Sequence, residues 1–217
     1  MNKCFLIFFL AFIGLMQKTS YAQEDHTNNI LKERLRNAEV KKTLSQGIEN
    51  IEVKFPGSLE PNFDVACISM KEVSSQFNPP ALILAVKKCV LQNDYEKAWD
   101  LLNTSTGFGY YDLQRLADRS TKEALTVLIF RVLGNLTPEQ HNKGQQISKI
   151  MNADAKRVQA YCAELKRIGP PTYEPQWAIA HGLGVYDDEA RQGHYLTNVD
   201  PKIIWAEVLR QRCTATQ

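Results

Sequence analysis

Histidine is the side chain best suited to acid–base work near neutral pH. The chain has 217 residues and four histidines, and His181 sits in the richest setting. The stretch Ile168 to His194 holds Gly169-Pro170-Pro171-Thr172-Tyr173-Glu174-Pro175, Trp177, His181-Gly182-Leu183-Gly184, Tyr186, Asp187-Asp188-Glu189 and His194. The prolines stiffen it. Trp177 and His181 are four apart, so they share a face if that piece is helical. A stiff loop carrying aromatic rings and an imidazole is how a binding site is built. The same residues would also serve as a rigid connector whose Trp and Tyr plug the core.

Catalysis would need more. Glu174, Asp187 or Asp188 could orient His181 as an acid or base. A nucleophile is missing, because no G-x-S-x-G occurs and the cysteines are committed elsewhere. His181 therefore stands as a weak catalytic candidate. His181 and His194, 13 apart beside an acidic run, match no standard metal-ligand spacing. No metal and no cofactor are expected.

Two further segments bear on a site. Gly107-Phe108-Gly109-Tyr110-Tyr111 lacks the third glycine and the preceding strand of a dinucleotide fingerprint. It reads as a turn with Tyr110 or Tyr111 packing inside. Asp112, Arg115, Asp118 and Arg119 follow at helical spacings and would form an ion-pair ladder on one face. Alternatively Arg115 recognises a carboxylate. The candidate binding residues are thus Tyr173, Trp177, His181, Tyr110 and Arg115. Asn103-Thr104-Ser105 and Asn135-Leu136-Thr137 are glycosylation sequons only in a host that glycosylates that way.

The N-terminus reads as an address. Met1 to Lys3 give a positive start, Cys4 to Met16 an apolar run, and Ser20 and Ala22 the small residues of a cleavage site before Gln23. The run reaches only about 20 Å as a helix, short of a bilayer's hydrocarbon. Residues 1–22 are read as a signal peptide, 23–60 as an N-terminal helix and connector, and 61–217 as a helical domain. The protein is expected in a periplasm or outside the cell, and not spanning a membrane.

Export changes the meaning of the thiols. Of five cysteines, Cys4 leaves with the signal. Cys67, Cys89, Cys162 and Cys213 remain, and an oxidising compartment suggests two disulfides. Asn62 to Gln76 and Pro79 to Gln92 both read as helices, with Asn78-Pro79-Pro80 forcing a turn between them. Cys67 lies eleven residues before Asn78 and Cys89 eleven after it. Equal distances from the turn pair Cys67 with Cys89, and elimination pairs Cys162 with Cys213.

The remaining elements are helical. Ile30 to Leu44 carries a moderate apolar stripe. Ile48 to Pro61 reads as a connector whose Ile51 to Phe55 alternates like a strand without a partner. Tyr95 to Leu102, capped by Asp94, is followed by a turn over Thr104 to Gly109 and a helix Tyr111 to Ala117. Thr121 to Leu133 is apolar at Ala124, Leu125, Leu128, Ile129, Val132 and Leu133, which suits a central core helix. Thr137-Pro138-Glu139-Gln140 starts a helix to about Met151. Further helices start at Asp154, Pro175 and Asp200-Pro201. The expected fold is all-α: one compact multi-helix domain of about eight or nine helices, braced by two disulfides, with no credible sheet.

One stretch resembles a known family. Within Asn78 to Thr104, Asn93-Asp94-Tyr95-Glu96-Lys97-Ala98 is similar to the turn and second-helix start of tetratricopeptide or Sel1-type repeats. The resemblance covers about one unit, and no second unit follows at a fixed period. It implies a helical hairpin packed through Tyr95 and Ala98, and hints at protein binding.

Charge narrows the partners. There are 26 Lys+Arg against 24 Asp+Glu, and Lys3 and Lys18 of the leader make up the surplus. A balanced chain argues against a nucleic-acid binder. The expectation is an exported, non-catalytic interaction domain, of the inhibitor or immunity type, that binds another protein. The alternative is a small envelope hydrolase using His181 with a nearby carboxylate.

Overall fold

Capping chemistry fixes where most helices begin. In a computed structural model of the chain, described over residues 38–45, 48–186 and 194–213, α1 (Pro79–Leu91) opens on Asn78, whose side chain accepts from the Ala81 amide. Asp94 caps α2 (Tyr95–Arg115), and Asn93 takes the left-handed conformation, φ 60°, that lets the chain reverse between the two. A short 3-10 segment, Arg119–Glu123, leads into α3 (Ala124–Leu133). Thr137 and Gln140 close a capping box at α4 (Pro138–Ala153), and Asp154 caps α5 (Ala155–Ile168). The short α6 (Gln176–Ile179) follows, and Asp200 caps α7 (Pro201–Arg212). Seven α-helices lie among the described residues, not eight or nine. No helix among the described residues is long and apolar enough to cross a membrane.

The chain divides into two units, residues 1–55 and 56–217. In the first, β1 (Glu39–Ser45) and β2 (Ile48–Lys54) pair antiparallel, with Val40 opposite Val53 and Lys42 opposite Ile51. This corrects two expectations. The helix placed over Ile30 to Leu44 is a strand from Glu39 onward, and the strand near Ile51 has a partner after all. Val40 and Leu44 fit a period of 2 as well as a helical i, i+4 step. The β-branched Val40, Thr43, Ile48, Ile51 and Val53 decide for the strand. Residues 30–37 and the leader 1–22 lie outside the described residues.

In the second unit, Val86, Cys89, Val90, Tyr95, Ala98, Leu101 and Phe108 of α1 and α2 share a core with Met151 and with Val158, Tyr161 and Leu165 of α5. A second core gathers Ile83, Leu113, Leu116, Ala124, Leu128, Trp177 and Ile179. The disulfides Cys67–Cys89 and Cys162–Cys213 form as paired from sequence, with Cα separations of 4.8 and 5.6 Å.

Three local readings change. Asn62 to Gln76 is not a helix. Among these residues only Met70–Glu72 forms a 3-10 turn, and Asn62 and Asn78 instead exchange backbone-to-side-chain bonds of 3.2 and 3.0 Å. Cys67 reaches Cys89 from this irregular segment rather than from a hairpin helix. The turn at Thr104 to Gly109 is the middle of α2. Its glycines allow close packing: a Cβ at Gly107 would lie 3.2 Å from Val208 Cγ1, and one at Gly109 only 2.9 Å from Leu125 Cδ1. Finally, α3 is less central than its composition suggests. Ala124 and Leu128 are buried, but Val127 is 39% and Phe130 79% exposed.

Replacing Cys162 and Cys213 together by alanine is expected to lower the unfolding free energy by about 4 kcal/mol, for a loop of 51 residues. The shorter Cys67–Cys89 loop should be worth about 3 kcal/mol. Urea denaturation of the two double variants beside the wild type measures both.

Candidate functional site

A buried carboxylate organises the region where the candidate residues meet. Asp112 lies on the last turn of α2, and its side chain is fully buried. Such a group is tolerated only with strong hydrogen bonds. Asp112 receives three. Tyr173 Oη donates to Oδ2 at 2.8 Å, Trp177 Nε1 to the same oxygen at 2.9 Å, and Arg115 Nη2 to Oδ1 at 3.1 Å. Burial nevertheless dominates and pushes Asp112 up to about 6, against the lowering effect of Trp177, Tyr173 and Arg115. Burial, then the charge of Asp112, also holds the Tyr173 phenol well above its usual value.

Arg115 is fixed on more than one side. Its guanidinium carbon lies 4.2 Å from the Tyr111 ring centre and 5.3 Å from that of Tyr195. Its Nε donates to the Tyr111 carbonyl at 3.3 Å. Tyr195 belongs to a short extended piece that pairs with the end of α2. Ala117 N donates to the His194 carbonyl at 2.9 Å, and Leu196 N to the Arg115 carbonyl at 2.8 Å. Burial, followed by the nearby Glu174 carboxylate, raises the Tyr195 phenol. Trp205 of α7 meets the Tyr111 ring edge-on at 5.9 Å. Tyr195 and Leu196 remain 37% and 39% exposed.

The structure therefore brings Tyr173, Trp177 and Arg115 together, but on an interior carboxylate. Trp177 is only 1% exposed. Of the expected ladder, the Asp112–Arg115 pair forms, while Asp118 leaves the helix. Its Oδ1 accepts from Ser120 N at 2.9 Å and its Oδ2 from Gly184 N at 2.7 Å. Gly182 is needed here, since a Cβ would lie 2.5 Å from Asp118 Oδ2. Tyr110 is half-buried on α2, within electrostatic reach of Arg210 on α7.

His181 stands apart from this group. The helix α6 ends at Ile179, so the imidazole does not follow Trp177 onto one face. Its Nδ1 lies 3.2 Å from Ser58 Oγ, and burial, with Arg131 nearby, lowers its pKa. Ser58 is 5% exposed, on a turn whose next residue, Leu59, has φ 55° and donates its amide to the Trp177 carbonyl. Glu174, one of the carboxylates considered for His181, lies instead near enough to Tyr195 to raise its phenol. Asp187 and Asp188 lie outside the described residues. Among the described residues no group of three or more His, Cys, Asp or Glu could hold a metal ion.

Sequence reading missed Tyr195 and Ser58, which carry no motif. It placed Asp112 in an ion-pair ladder on one helix face. The one available signal was an acid three residues before an arginine in a segment with many aromatics. Comparison with family models, with curated proteins and with solved structures finds no match to this chain.

Two outcomes test the node. Trp177→Phe removes one donor and leaves a cavity where the rest of the indole packed, and should cost about 3 kcal/mol in urea unfolding. The second concerns pH. Unfolded, the Asp112 carboxyl would titrate near 3.8. Its folded value is higher, so the proton favours the fold. That contribution is complete below the unfolded value and is lost as pH rises through about 6. Between pH 4 and 7 the wild type should lose about 2 kcal/mol relative to Asp112→Asn. Parallel denaturation series at both ends of that window give the difference.

Proposed function

We propose that this chain is an exported interaction domain that binds another protein through the rim formed by Tyr195, Leu196, Arg115 and Glu174. One observation carries the reading. Arg115 is held between Tyr111 and Tyr195, is tied to a buried carboxylate, and its side chain is 15% exposed. Arginine and tyrosine are enriched among residues that dominate binding energy, and rigid ones lose less entropy on association. Tyr173, Trp177 and Asp112 form the base that holds this rim in place. The helical hairpin of α1 and α2, with its resemblance to tetratricopeptide or Sel1-type units, and the balanced charge point the same way. Two disulfides fit an oxidising compartment, which agrees with the N-terminal leader read from sequence. The partner class is a secreted or envelope protein, as for an inhibitor or immunity-type protein.

A second reading is a hydrolase acting through His181. The contact of Ser58 Oγ with His181 Nδ1 favours it. The burial of Ser58 and the engagement of Glu174 with Tyr195 weigh against it.

Affinity capture from envelope extract separates the two. The wild type is expected to retain one stoichiometric partner, and a Tyr195→Ala, Leu196→Ala variant to bind it at least about tenfold more weakly. Both residues are partly exposed, so the variant should keep its fold, which circular dichroism verifies. A fluorophosphonate probe is expected to leave the protein unlabelled. Labelling at Ser58 that disappears in His181→Ala would put the hydrolase first.

A further inference from the structure

Arg115 is tied down on one side and open on another. Its Nε donates to the Tyr111 carbonyl at 3.3 Å and its Nη2 to Asp112 Oδ1 at 3.1 Å. Most of the N–H groups of a guanidinium are left over after those two bonds. Among the described residues none of the others has a hydrogen-bond partner within the chain, and no Arg115 nitrogen is both buried and unpaired. That edge therefore meets solvent, between the Tyr111 and Tyr195 rings that flank the guanidinium carbon at 4.2 and 5.3 Å. A planar fork held rigid, with donors to spare on its outer edge, matches the two oxygens of a carboxylate.

The Arg115 charge is already balanced by Asp112, so a second carboxylate is repelled while Asp112 is ionised. The bonds around Asp112 allow that charge to be removed. Trp177 and Arg115 can only donate, but the Tyr173 hydroxyl, 2.8 Å from Oδ2, can turn over and accept. A proton on Oδ2 then has an acceptor, Oδ1 still receives Arg115, and no group is orphaned. The titratable or charged groups around Asp112 are Arg115 and Tyr111 on its own helix, Tyr173 on the loop after α5, Tyr195 on the C-terminal piece, and Glu174 beyond Tyr195. Arg115 is the one cation among them. Burial already holds Asp112 at about 6, so protonating it near neutral pH asks for little.

We propose that the open edge of Arg115 is a binding site for a carboxylate carried by the partner, and that Asp112 takes up a proton from solvent as that carboxylate docks. This rests on the reading of the rim as a binding surface. The docked negative charge lifts the Asp112 pKa above its value in the free protein, so the bound state holds more protons. Affinity therefore rises as pH falls through the interval between the free and bound values, and levels off below it. The matching surface of the partner is acidic, and the rim grips it most tightly in mildly acid surroundings.

Acetate is the probe, titrated into the disulfide-bonded protein and followed by NMR at the Ala117 and Leu196 amides, which pair beside Arg115. Titrations run at about pH 5.5 and about pH 7.5, with chloride holding the ionic strength constant. The wild type is expected to bind about tenfold more tightly at the lower pH. Asp112→Asn keeps an oxygen for Arg115 and turns a neutral amide toward Tyr173. It should bind equally at both pH values, and as tightly as the acidified wild type. Arg115→Gln should lose the response. No acetate binding up to about 0.3 M, equal wild-type binding at both pH values, a pH dependence retained in Asp112→Asn, or a response retained in Arg115→Gln each overturns the inference. A partner captured from extract while acetate fails in one of these ways overturns the carboxylate site and leaves the interaction reading standing. Acetate binding as expected, with no protein retained from extract, supports the site and overturns the interaction reading.

Discussion

The Asp112 carboxylate is the constraint around which the C-terminal half of the fold is arranged. A carboxylate taken fully out of water costs several kcal/mol unless donors replace the solvent. Here the donors come from three places: Arg115 on the same helix, Tyr173 on the proline-bounded loop after α5, and Trp177 on α6. Each donor sets the position of something else. Trp177 carries the carbonyl that receives the Leu59 amide, and so anchors the turn holding Ser58. Arg115 stacks on Tyr195, whose strand-like piece pairs with the end of α2. The exposed rim and the buried base are thus one assembly.

The rest of the helical unit shows what happens with fewer donors. Asp100, also buried, accepts from Arg157 at 2.6 Å through Oδ2, while Oδ1 has no hydrogen-bond partner. The same guanidinium lies 5.4 Å from the Trp99 ring centre. That arrangement joins α2 to α5 within the larger core and is backed by the Cys162–Cys213 link between α5 and α7. It holds helices that already pack. Asp112 instead holds segments with little regular structure of their own, so more depends on it.

What the sequence made legible was local. Caps at Asp94, Thr137, Asp154 and Asp200 act within three residues, so the helix starts could be read. The disulfide pairing could be read too, although Cys67 sits on an irregular segment rather than a helix. What failed was tertiary. Gly107 and Gly109 signal a turn by propensity, but Val208 and Leu125 pack against them and the helix runs through. The Asn62 to Gln76 stretch is held by Asn78, the disulfide and side-chain bonds such as Asn62 to the Gln76 carbonyl instead of by a helical ladder. At the site, three of the five binding candidates converge. Their hub was not legible, because Tyr173 and Trp177 lie 61 and 65 residues from Asp112 in sequence. Tyr195 is brought in only by the pairing with the end of α2.

If Asp112 fixes the rim, amide hydrogen exchange on an Asp112→Ala variant should show it. The Ala117 and Leu196 amides pair α2 with the Tyr195 piece. They should exchange at least about tenfold faster in the variant, while amides in the middle of α1 and α5 keep most of their protection. Unchanged protection at Ala117 and Leu196 would mean that the rim is held without the carboxylate beneath it.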